Sequence, residues 1–226
     1  MLKRLLKQKV EMRALAIIAF TAMSFLVQGQ ILNITPAFPS QNDTITVIYD
    51  ATEGNGALTG YTPVYAHAGL ITNASTTPTD WKHVQGNWGT ADPNVLMTSL
   101  GNNLHKLEYH IPTYYGFGSN VTVQKLAFVF RNANGTVVGR AADGSDIYYD
   151  IYPANAGLIA QFMKPESTLL ISPTDSLETV VAASRFCDLK VYDNGTLVFQ
   201  DSSKQETFYL SDTVPGMHTV ILEATD

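Results

Sequence analysis

Two tryptophans and two adjacent tyrosines are the residues of this chain best suited to hold a ligand. Trp81 and Trp88 bracket the polar stretch Trp81-Lys-His-Val-Gln-Gly-Asn-Trp88, which follows the loop Asn73–Asp80. Tyr114 and Tyr115 belong to a second cluster, Tyr114-Tyr-Gly-Phe117, behind Pro112. An aromatic ring presents a flat apolar face with a polar edge, which suits stacking on the C–H face of a sugar. Nearby amides and His83 could bond the hydroxyls. The candidate carbohydrate contacts are therefore Trp88, Trp81, Tyr114, Tyr115 and His83. Packing competes with this role, because tryptophans also plug the open ends of β-sandwiches. If the segment around 114–115 is extended, one of the two tyrosines points outward.

Other chemistry lacks its residues. No Gly-x-Ser-x-Gly elbow offers a nucleophile, and the single cysteine, Cys187, sits in Arg185-Phe-Cys-Asp-Leu189 as an unpaired, buried thiol. One cysteine excludes an intramolecular disulfide framework and a thiolate zinc cluster. His105 and His110 are five apart on one strand and face opposite sides, while His67 and His83 lack a nearby ligand partner. Asp143-Gly-Ser-Asp146 reads as an acidic turn, lacking the alternating acids and distal glutamate of a calcium loop. Gly135, Gly139 and Gly144 fall in hairpins and form no phosphate loop. No pair of carboxylates stands out for glycoside hydrolysis. No catalytic residue, metal or cofactor is assigned, and whether the chain has enzymatic activity stays open.

Strands must position these aromatics. Period-2 alternation rich in β-branched and aromatic residues recurs between turn signals every ten residues or so. Expected strands are Thr44–Asp50, Val64–Thr72, Leu104–Ile111, Lys125–Arg131, Thr136–Gly139 after the Asn134-Gly135 turn, and Asp146–Tyr152. Pro153-Ala-Asn-Ala-Gly157 marks a boundary, beyond which short strands are expected at Leu177–Ala183, Leu189–Tyr192, Thr196–Phe199, Glu206–Leu210 and His218–Ala224. The expected fold is all-β. It comprises two consecutive antiparallel β-sandwich, immunoglobulin-like domains at 30–153 and 154–226. The second, at 69 residues from position 158, is short of the about 100 of a full sandwich and is expected to be incomplete.

Charge separates a leader from the rest. Residues 1–29 hold five of the 14 basic residues, followed by the apolar run Ala14–Val27, the pattern of a signal peptide cleaved near 29/30. The run is shorter than the roughly 20 residues that span a bilayer. Residues 30–226 then carry nine basic and 19 acidic side chains, a net charge of −10. That balance disfavours nucleic acid, which requires clustered Lys and Arg. At 15% charged residues the chain suits neither a coiled coil nor a highly charged disordered segment. The expectation is an exported protein, secreted or at a bacterial cell surface, with no membrane span after cleavage.

Several ordered motifs carry a family resemblance. Val64-Tyr-Ala-His-Ala-Gly-Leu-Ile-Thr72, Asp80-Trp-Lys-His-Val84, Asn87-Trp-Gly89, Ile111-Pro-Thr-Tyr-Tyr115, Lys125–Asn132 and Asp146-Ile-Tyr148 together resemble the N-terminal β-sandwich of secreted bacterial alpha-amylase-family glycoside hydrolases. The resemblance implies a following immunoglobulin-like domain and then a catalytic (β/α)8 barrel on the same polypeptide. It implies a starch-like α-glucan, as polysaccharide or maltooligosaccharide, as the partner. The family's catalytic motifs have no counterpart here, so the expected role is a non-catalytic accessory region of such an enzyme. The competing expectation is a structural spacer or adhesion-type surface protein that binds no sugar.

Overall fold

The computed structural model describes residues 30–153, 155–165, 171–172, 175–211 and 216–226. The expected signal peptide, 1–29, lies outside the described residues. Among the described residues, thirteen antiparallel strands form three sheets. The first joins β1 (Leu32–Thr35), β2 (Thr44–Asp50), β6 (Leu104–His110) and β5 (Thr98–Gly101) in that spatial order. The second joins β4 (Lys82–Gln85), β3 (Tyr65–Thr72), β7 (Val123–Arg131) and β8 (Val138–Gly139), with β9 (Ile147–Asp150) also on β7. No helix among the described residues is long and apolar enough to cross a membrane.

Alternation explains how these two sheets meet. On β2, Ile45, Val47 and Tyr49 point inward while Thr44, Thr46 and Ile48 turn to the other, partly exposed face. Ala66, Ala68 and Leu70 of β3 and Leu126, Phe128 and Phe130 of β7 face them across one shared core. Tyr49 stacks on Phe130 with ring centroids 3.9 Å apart, an offset aromatic contact that adds to the area it buries. β7 is the most apolar strand, as its sequence requires, because its outward residues Ala127 and Val129 are buried too. Strands buried on both faces lose the polar half of the alternation.

The third sheet is built on two long strands. β11 (Leu177–Asp193) pairs with β12 (Thr196–Leu210) on one side. On its other side it pairs with β10 (Ala160–Lys164) and then β13 (Val220–Thr225). Where short strands are expected from the turn spacing, the chain runs on through a register shift between Ala182 and Cys187. The expected Asn194-Gly195 turn does form, with φ of 47° and 83° at its two residues, the pairing that a tight hairpin requires. Cys187 packs beside Val181, Ala183, Leu189 and Val191 with no disulfide partner, and burial raises its thiol pKa. Phe38 and Tyr152 meet edge to face at 5.0 Å, and with Ala37 and Ala182 they form a small apolar contact between the first unit and the third sheet.

Phe128→Ala removes a fully buried ring from the shared core and should cost about 3–5 kcal/mol. Urea unfolding followed by tryptophan fluorescence reads this directly, since both tryptophans lie in the first unit. A loss below about 1 kcal/mol would contradict the packing described.

Candidate functional site

The outward face of β3 begins the site. Alternation turns His67 and Gly69 away from the core that Ala66, Ala68 and Leu70 fill. Gly69 is required by packing. A Cβ there would meet the Trp81 ring at 2.9 Å, so glycine lets the indole lie directly on the strand. Trp81 then donates its indole N–H to the Tyr148 hydroxyl at 3.3 Å. Asp80 anchors the preceding loop, accepting from Lys82 at 2.8 Å and from the Thr76 amide and hydroxyl at 2.9 and 3.0 Å. The Lys82 bond, with those from Thr76, pulls its carboxyl pKa down to about 2.

Trp88 is held differently. Its indole is 47% exposed, an unusual cost for a tryptophan, yet the loop beneath it is tightly tied. Arg131, fully buried, donates to the carbonyls of Asn87 at 2.9 Å and of Asn132 and Ala133 at 3.1 Å. Its guanidinium sits 5.9 Å from the Trp88 ring centroid and 5.3 Å from that of Tyr65, within cation–π range. Asp92 accepts from the Asn87 and Asn94 amides and closes the loop. A Cβ on Gly135 would approach the Trp88 indole nitrogen to 2.8 Å, so this hairpin glycine clears the edge of the ring.

His67 joins the two indoles. Its ring lies 6.0 Å from Trp81, close to parallel at 27°, and 5.1 Å from Trp88 at 88°. The Trp81 and Trp88 planes therefore stand steeply to one another. Nδ1 of His67 faces the Gly86 carbonyl at 2.9 Å. A carbonyl only accepts, so Nδ1 carries the proton and Nε2 of the neutral ring is left as an acceptor. Burial lowers the His67 pKa, assisted by Arg131 and opposed by the Gly86 bond and Asp146. The result is a bent aromatic shelf with a neutral acceptor at its fold.

The remaining candidates lie elsewhere. Ile111–Tyr115 forms a one-turn helix, α1, where a loop is expected, and this turn buries Tyr115 and half-buries Tyr114 against the core. Tyr115 is buried and shares a 3.2 Å hydroxyl hydrogen bond with Tyr109, and Tyr114 stacks on Tyr109 at 4.0 Å. The expectation that one of them is exposed is thereby corrected, and neither offers an open ring beside the tryptophans. His83 sits at a bulge, where β4 has one residue more than β3 between its paired positions. Its φ of 51° turns the ring toward Phe117, 5.9 Å away. Missed at the sequence level are His67, Arg131 and Tyr148. Their only signal was an outward-facing position on a strand, and nothing local says which loop covers it.

His105 and His110 do face opposite ways, one buried and one exposed. Asp143 accepts from the Ser145 amide at 2.9 Å within an ordinary turn, and Asp146 pairs with Arg140. Among the described residues, no group of three or more His, Cys, Asp or Glu side chains is placed to hold a metal.

A protein family described as a domain of unknown function, DUF8578, matches residues 32–138. No curated protein matches the chain. The matched span contains both tryptophans, His67 and Arg131.

The tautomer is directly measurable. Long-range 1H–15N correlation spectra should show His67 protonated at Nδ1, with a titration midpoint below the ordinary histidine value. Because the folded pKa is lowered, His67 costs the fold nothing above its ordinary value. Its stabilising contribution is lost as pH falls from there through the folded value. An Nε2-protonated ring, or a raised midpoint, would contradict the geometry.

Proposed function

We propose that the protein is the non-catalytic accessory region of a secreted alpha-amylase-family glycoside hydrolase, holding starch-like α-glucan for a catalytic domain on the same polypeptide. One observation carries the sugar-binding part. A half-exposed indole, Trp88, is fixed by a buried arginine beside a second indole and a histidine acceptor. Exposing a large ring and spending a buried charge to hold it still suits a platform that receives a ligand already ordered. The steep angle between the indoles favours a chain that bends, as α-linked glucan does, over a flat sheet-like polysaccharide. The net acidity of the chain suits a neutral ligand. Tethering such a weak site to a catalytic domain raises the local substrate concentration without new chemistry.

The finer architecture belongs to the same reading. Residues 1–29 serve as the export signal and 30–153 as a carbohydrate-binding β-sandwich. The third sheet is an immunoglobulin-like module, its apolar face only partly covered by Phe162, Phe199, Phe208 and Leu222. Reading the coding sequence beyond Asp226 tests the link, and a frame that never enters a (β/α)8 barrel would remove the enzyme from the proposal.

A spacer that binds no sugar has one observation in its favour: Trp81 is packed on Gly69 and its N–H is satisfied, so packing alone explains it. Affinity electrophoresis in gels containing soluble starch separates the two. Retarded migration is expected, with Trp88→Ala weakening binding about tenfold through the lost stacking contact. Unretarded wild-type protein would leave the spacer.

A further inference from the structure

The geometry points to a second sugar subsite, a cavity of ≈ 410 Å³ at the far end of the same sheet face, which takes the continuation of the glucan chain lying on the tryptophan shelf. This inference rests on the proposed α-glucan reading. Three observations carry it. The cavity and the shelf share a strand: its floor includes Ile71, next in the outward row after His67 and Gly69 on β3. From His67 to Ile71 the strand rises about 13 Å, more than one sugar ring covers. Shelf and cavity also share a wall, because the Tyr148 hydroxyl that accepts from the Trp81 indole belongs to a ring lining the cavity.

The second observation is rigidity. The loop wall at 75–78 is built before any ligand arrives. The Ser75 hydroxyl donates to the Asp80 carbonyl at 2.8 Å and accepts from the Thr72 amide at 3.0 Å. Thr76 is bound to Asp80 through both its amide and its hydroxyl. These bonds spare a ligand the cost of ordering the loop.

The third is chemistry. Ile71 and Pro78 supply an apolar patch, while the Gln124 side-chain amide has no hydrogen-bond partner among the described residues and sits on the rim. Lys125 is neutralised by Asp150 at 2.8 Å, so the rim carries no unbalanced cation for a phosphate. An apolar floor with an amide at its edge fits a neutral polyhydroxylated ring, and the volume lies in the range of small-ligand sites. The ligand is thus an oligosaccharide spanning shelf and cavity, and chain length sets its affinity.

Isothermal titration calorimetry of the whole protein with maltose, maltotriose and maltoheptaose tests this. Affinity should rise with length. Gln124→Ala should remove about three- to tenfold of the maltoheptaose affinity, the worth of one hydrogen bond, and leave maltose binding unchanged. Trp88→Ala should weaken all three sugars alike. Unchanged maltose binding by the Gln124 variant also shows that it is folded. Equal affinity for all lengths, or a Gln124→Ala loss equal for maltose and maltoheptaose, overturns the cavity subsite and leaves the shelf. Absence of binding by every length overturns the glucan reading itself, and the subsite with it.

Discussion

The pairing of β3 with β7 is the constraint on which the first unit depends. Tyr65–Thr72 runs antiparallel to Val123–Arg131, with His67 opposite Val129 and Tyr65 opposite Arg131. Apart from Gln124 and Lys125 at one end of β7, both strands are largely buried on both faces. The inward side chains close the core against β2, and the outward ones support the aromatic shelf. A one-residue slip would exchange these faces, driving His67 and Arg131 into the core and Ala68 and Phe130 out of it. Core and site are therefore specified by the same register.

Arg131 shows how that register is used. A buried guanidinium without partners would be strongly destabilising. Here three backbone carbonyls, from Asn87, Asn132 and Ala133, accept from its two terminal nitrogens while Nε is left without a partner among the described residues, and two of the three belong to the turn following its own strand. The third ties in a loop more than forty residues away. The charge thus joins the β7 hairpin to the Trp88 loop, and two aromatic rings cover it. The same economy recurs at Gly69 and Gly135, where a missing Cβ admits an indole.

Where sequence reading falls short, the shortfall has local causes. Pro112 suggests the end of a strand followed by a loop. Proline is equally at home in the first turn of a helix, and that turn, Ile111–Tyr115, decides where both tyrosine rings go. A single extra residue in β4 does the same for His83. Turn residues spaced through 184–206 suggest several short strands. The backbone accommodates them inside β11 and β12 as register shifts, because each long strand offers the other a continuous partner.

The sequence by itself determines the longer strands of the first unit, β2, β3, β6 and β7, and which of their side chains turn inward, but not β1, β4 or β5. Side-chain alternation is a property of each strand alone, legible in Thr44–Asp50 or Lys125–Arg131 without knowledge of any neighbour. Only the tertiary structure decides that Trp81 and Trp88 meet across His67, that Arg131 lies beneath Trp88, and that the tyrosines belong to the core. Those contacts join β3, the 73–92 segment and β7 across 12 residues of chain, as at Leu70 and Lys82, to 66, as at Tyr65 and Arg131. They follow from strand pairing and burial over the whole unit, which no local period encodes.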